Sequence, residues 1–160
     1  MTSDRPTGSR QNSTPPSRTQ KLPETRYPGG PGTPSASPTA LGAEGEARAA
    51  HYLESRGYRI VARNVRAGGV ELDLVARRGR LVIFVEVKTR RTRRFGPPEL
   101  AVDRAKRQRL VAGARAWLYE DHRRFERVRF DVMAWQVSAE GPGKDSWALR
   151  HIENAFEDGD

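Results

Sequence analysis

From Val70 to Lys88 the chain reads VELDLVARRGRLVIFVEVK, an apolar run interrupted by charge at Glu71, Asp73, Glu86 and Lys88. Two β-strands joined by the tight Arg77-Arg78-Gly79-Arg80 connection account for the pattern. Charge within so apolar a stretch is expensive to bury unless it is paired, bound to a metal or used in catalysis. These four positions therefore constrain the fold and the chemistry together.

Side chains alternate faces along a strand, so Glu71 and Asp73 share a face, as do Glu86 and Lys88. A hairpin pairing Ala76 with Leu81 sets Asp73 opposite Phe84 and Glu71 opposite Glu86. All four charges then project from one face, with Asp73 diagonal to Glu86 and close enough to share a metal. A slip of one residue would separate the two pairs. Two converging carboxylates repel, and a hard cation such as Mg²⁺ (or Mn²⁺) relieves the repulsion while keeping several waters. Such an ion activates water and stabilises charge developing on a phosphate. Lys88 serves there as a point charge that holds the phosphate or orients the water. The same residues also fit a plain cross-strand ion pair, with Lys88 neutralising Glu86 or Glu71.

The remaining elements form around this hairpin. Residues 43–56 show helical spacing at Ala43, Ala47, Ala50 and Leu53, with Gly57 placed to stop the helix. Glu46 lies near its first turn, where the helix dipole favours a carboxylate. Tyr58–Asn64 alternates as a strand, and Ala67-Gly68-Gly69 turns into Val70–Ala76. Leu81–Lys88 is apolar on both faces for most of its length, as a central strand is. A second helix is expected within 98–120, with Asp103 a possible N-cap. Arg127–Val137 alternates as a further strand, Gly141-Pro142-Gly143 turns, and Trp147–Ile152 closes the series. The expected fold class is α/β, helices flanking a central mixed β-sheet. Asp131 reads as the buried partner of an arginine rather than a third ligand. His51, His122 and His151 lack metal-ligand spacing.

Residues 1–40 hold 8 of the 11 prolines and almost no large apolar side chain, so a disordered tail is expected, followed by one domain over 41–160. The 29 Lys and Arg outnumber the 20 Asp and Glu, a formal net charge of +9. That balance favours a polyanionic partner, with nucleic acid the expected one. The cations of Arg90, Arg91, Arg93 and Arg94, just beyond Lys88, suggest phosphate contacts. The absence of cysteine rules out disulfides, thiolate metal sites and a cysteine nucleophile. No apolar run approaches the ~20 residues that span a bilayer, and the first residues lack the apolar core of a secretion signal. A cytoplasmic location and no membrane partner are expected.

In order along the chain, GAEGEARAAHYLESRGYRIVARNVR, VELDLVA, LVIFVEVKTR, FGPPELAVDRAKRQRL, RFDV and HIENAF resemble the YraN family of bacterial proteins, over roughly Leu41 to Phe156. The resemblance implies a restriction-endonuclease-like core, similar to archaeal Holliday-junction resolvases. With it come metal-dependent hydrolysis of DNA phosphodiester bonds, branched DNA included, and a homodimer, since cutting two strands needs two sites. It places the metal pair at Asp73 and Glu86, the lysine at Lys88, and an assisting helix carboxylate at Glu46. Lys106 matches a recurring basic position expected to bind nucleic acid, and Glu71 supports the set. Val70 stands where the family usually has glycine, and Leu72 where the fold's motif has proline. A non-catalytic nucleic-acid-binding protein that keeps the nuclease fold is the alternative.

Overall fold

A computed structural model describes residues 33–34, 40–91, 102–141 and 144–159 of the 160-residue chain. Its elements are β1 (Thr33–Pro34), α1 (Ala40–Ser55), β2 (Arg59–Ala67), β3 (Val70–Arg78), β4 (Leu81–Arg90), α2 (Arg104–Glu120), β5 (Arg127–Gly141) and β6 (Lys144–Phe156). They form the expected α/β fold, with strands in sheet order β1-β2-β3-β4-β5-β6. All neighbours run antiparallel except β4 and β5, which are parallel and joined through α2. Apart from Thr33–Pro34 and Ala40, the tail expected over 1–40 lies outside the described residues. So do Arg93 and Arg94.

Local chemistry sets the helix ends. Gly57, at φ 81°, supplies the left-handed residue that stops α1, and the Tyr58 amide returns to the Leu53 carbonyl at 3.0 Å. Asp103 caps α2, its Oδ1 accepting from the Lys106 amide at 2.8 Å. The cap fixes where Lys106 enters the molecule.

The two helices cover opposite faces of the sheet. On β4, Val82 and Phe84 join Leu110, Ala114 and Trp117 of α2 in one core. Leu81, Ile83, Val85 and Val87 join Ala49, Ala50 and Leu53 of α1 in the other. Every residue from Leu81 to Val87 is buried, as a central strand requires. By the same alternation Glu86 and Lys88 point to the α2 side.

The β3–β4 register differs from expectation by two residues: Ala76 pairs with Ile83 and Arg78 with Leu81. A two-residue shift preserves the faces, and it brings the position opposite Glu86 to Asp73 itself. The ladder ends one step earlier, at Leu74 and Val85.

Alternation fails on β3 at this point. Leu72 and Val75 pack on the α2 side, whereas Leu74 and Ala76 pack on the α1 side. On β2, Ala62 and Val65 share the α2 side although they lie three positions apart, an odd spacing. The flanking pairs Arg63–Leu74 and Val65–Leu72 locate both breaks at the rung that joins Asn64 to Asp73. Asn64 there has φ 45°, outside any strand conformation. Strict alternation, the basis for putting Glu71 and Asp73 on one face, does not hold across this rung.

Candidate active site

The end of the sheet where β3 and β4 part company gathers the charged set. Asp73 sits at the broken rung, and its Oδ2 accepts from the Val87 amide at 2.8 Å. That bond replaces the ladder bond the strands no longer make. Burial, and after it the Glu86 charge, raise the Asp73 carboxyl from its ordinary range to about 7. The Val87 amide and Lys88 pull the other way, and Glu46 adds a further, smaller push upward.

Glu86 is almost completely enclosed, with 1 % of its side chain exposed. Its Oε1 meets the Lys88 ammonium, and its Oε2 lies 3.2 Å from Lys106 Nζ. Oε2 nevertheless has no hydrogen-bond donor. A carboxylate this buried requires compensating charge, which the two half-buried lysines supply. Lys106, expected to bind nucleic acid, is thus placed inside the charged set by the α2 cap.

Glu46 arrives from the other face of the sheet. Gly45 lets α1 approach β4 closely, because a Cβ there would collide with Thr89 Oγ1 and meet Trp135. The next residue is held by Asn64, whose Nδ2 donates to Glu46 Oε2 at 2.7 Å. Glu46 is close enough to Asp73 to raise its proton affinity.

Glu71 is not brought into the set. Its neighbours Val70 and Leu72 both pack toward α2, so Glu71 faces the opposite side from Glu86. It stands beside Arg66 on β2 and makes no ion pair among the described residues. Of the loop cations, the Arg90 carbonyl accepts from Gln136, and the Arg91 guanidinium makes a forked pair with Asp145 at 2.9 and 2.7 Å.

Asp131 is fully buried on β5 beside Val85 and bonds in fork fashion to Arg129 at 2.8 and 2.7 Å. His151 Nε2 at 2.9 Å and the Asn154 amide at 3.1 Å complete its shell. It is the arginine's partner, as its sequence context suggested. Among the described residues no three acidic or imidazole groups lie close enough to hold a metal. Asp73 and Glu86 fit a two-carboxylate site, because Mg²⁺ commonly takes one or two carboxylates and fills its shell with water and phosphate oxygens. A cation there would offset the costly ionisation of Asp73 and would meet Glu86 Oε2, which has no hydrogen-bond donor.

Asn64, Gly45 and Lys106 are the neighbours that sequence reading missed or assigned elsewhere. Asn64 carried one signal: asparagine is a poor strand former and here closes an alternating run. The family described as Uncharacterised protein family UPF0102 matches residues 45–135, a span that contains Glu46, Asn64, Asp73, Glu86, Lys88 and Lys106. A UPF0102 protein of Geobacter metallireducens is 42% identical over 118 residues, 74% of this chain and 93% of that relative. Its counterpart in Pelobacter propionicus is 46% identical over 118 residues, 72% and 81% of the two chains. One from Rhodococcus opacus is 44% identical over 117 residues, 73% and 96%. No helix among the described residues is long and apolar enough to cross a membrane.

Proposed function

The chain belongs to the uncharacterised family UPF0102, and from that premise we propose that it is a cytoplasmic Mg²⁺-dependent endonuclease that hydrolyses phosphodiester bonds of DNA, branched DNA included. One observation carries the reading. Two carboxylates, Asp73 and Glu86, meet at the end of a sheet with one of them held at about 7 and the other enclosed between two lysines. A purely structural ion pair does not need a second buried carboxylate beside it, and gains nothing from the repulsion.

In this reading Asp73 and Glu86 hold the cation. When bound, Mg²⁺ lowers the pKa of a coordinated water and offsets charge on the phosphate. Asp73 must be ionised to take part, and its proton leaves near neutral pH. Lys88, one-third exposed at the mouth of the site, exchanges its contact with Glu86 for a phosphate oxygen and stabilises the charge that develops there. Glu46 assists from α1, and Lys106 keeps Glu86 neutralised from α2. Arg90, Arg91, Arg93 and Arg94, continuing from Lys88, contact flanking phosphates. Two copies of the chain supply the two sites that a double-strand cut needs.

Incubating the purified protein with duplex, single-stranded and four-way-junction DNA in Mg²⁺ or Mn²⁺ tests this. Cleavage lost in Asp73→Ala and in Glu86→Ala supports it; cleavage that persists in both overturns it.

A second reading is favoured by the pairing of Glu86 with both Lys88 and Lys106, since the site is already neutralised by the chain's own cations. There the protein binds nucleic acid without cutting it. Binding would weaken with salt, be indifferent to Asp73→Ala, and proceed with no metal-dependent cleavage.

A further inference from the structure

Asn64 stands at the rung where β2 and β3 both lose alternation, opposite Asp73 and with φ 45°. Asparagine enters this region more readily than most residues, since its short amide can bond locally. A purely backbone role would be served equally well by glycine. The Asn64 amide, however, spans the gap to α1 and donates to Glu46 Oε2 at 2.7 Å. The other end of the same amide, Oδ1, is buried without a hydrogen-bond partner. A buried amide that leaves its acceptor unmet while its donor reaches another element is costly unless the reach serves something. Among the described residues no other hydrogen bond restrains the Glu46 carboxylate.

We propose that Asn64 is a positioning residue: its amide fastens Glu46 by Oε2 at the broken rung beside Asp73, leaving Oε1 to accept from a water of the cation that Asp73 and Glu86 would hold. The inference rests on the reading of Asp73 and Glu86 as that cation's ligands. A carboxylate on a long side chain has many rotamers, and the bond from Asn64 removes most of them before the ion arrives. The left-handed backbone of Asn64 then has a purpose, since it turns the amide out of the strand toward α1.

Mn²⁺ binding to the full chain at pH 8, read from the electron paramagnetic resonance signal of the free ion, tests the proposal without any substrate. Asn64→Gly keeps the left-handed backbone and removes only the amide, so the metal-free melting temperature should be unchanged. Its Mn²⁺ affinity should fall about 10-fold, the usual cost of losing a residue that orients a ligand. Glu46→Gln should lose at least as much, and the two together no more than Glu46→Gln alone. Asn64→Ser provides the same comparison if the glycine variant folds poorly. Wild-type affinity in Asn64→Gly, or losses that multiply in the double variant, overturn the role of Asn64 alone. A wild-type protein that binds no Mn²⁺ overturns the two-carboxylate reading and this inference with it.

Discussion

Asp73 is a residue the fold tolerates at a cost. Its carboxyl titrates near 7 in the folded chain against about 4 when unfolded. Between those values the folded state holds the extra proton, so stability falls as pH rises, and above 7 the whole contribution is lost. Asp73→Asn keeps an acceptor for the Val87 amide and removes the titration. The variant should match wild type near pH 4 and exceed it at pH 8 by about 2–4 kcal/mol, as measured by urea denaturation without metal. A difference that does not open between pH 4 and 7 would show that Asp73 is not perturbed in this way. Added Mg²⁺ should narrow the gap at pH 8, because the ion binds only the ionised form. Lys106 offers a second test, since it and a bound cation serve the same Glu86. Lys106→Met should cost about 1 kcal/mol of stability, Lys88 remaining on Glu86. It should also tighten Mg²⁺ binding in a calorimetric titration; unchanged affinity would mean that lysine and ion do not compete.

At the scale of elements, the site exists because two helices approach one broken rung from opposite faces. Gly45 sets the distance on the α1 side. Gly45→Ala should push α1 off β4, lowering stability by about 1–3 kcal/mol and weakening Mn²⁺ binding through the displacement of Glu46. Thermal denaturation and metal titration of one sample check both; a stable variant with a displaced Glu46 is not expected. The hairpin, the buried central strand and the Asp103 cap were legible in sequence because each depends on local pattern and turn chemistry. The register was legible only to within two residues, since a shift of two leaves every side chain on its face. The broken rung was not legible. It depends on Asn64 and Asp73 meeting across strands, and single-strand alternation carries no trace of that. Glu71 was misplaced for this reason: its face follows from Val70 and Leu72 packing toward α2, where Val70 fills the space a side chain at Gly113 would need. Lys106 is expected from sequence to bind nucleic acid, and helical spacing does not reveal which carboxylate lies beneath it.

For the whole molecule the question is how a chain with net charge +9 divides its cations between structure and partner. Several arginines have partners within the chain: Arg129 with Asp131 and Glu153, Arg91 with Asp145, Arg115 with Asp158, and buried Arg77 with the Arg124 carbonyl and Asp121. An exposed pair such as Arg115–Asp158 is weak enough to exchange for a phosphate, whereas Arg129 in its buried network is not. Residues 1–40 contribute five basic against two acidic residues. Such cations act on a polyanion through counterion release alone. Replacing Arg5, Arg10, Arg18, Lys21 and Arg26 with Gln should leave thermal stability unchanged. It should also make the dependence of log affinity for duplex DNA on log salt shallower, by at most about 4. Asp73→Asn should leave that slope unaltered, because the carboxylate pair acts at one bond and not along the backbone. Fluorescence anisotropy from 50 to 300 mM salt, roughly the range over which such binding collapses, separates the two contributions. A slope that ignores the five substitutions would assign DNA attraction to residues 41–160 alone. A slope that falls in Asp73→Asn would instead mean that the carboxylates shape the whole binding surface and not only the point of cleavage.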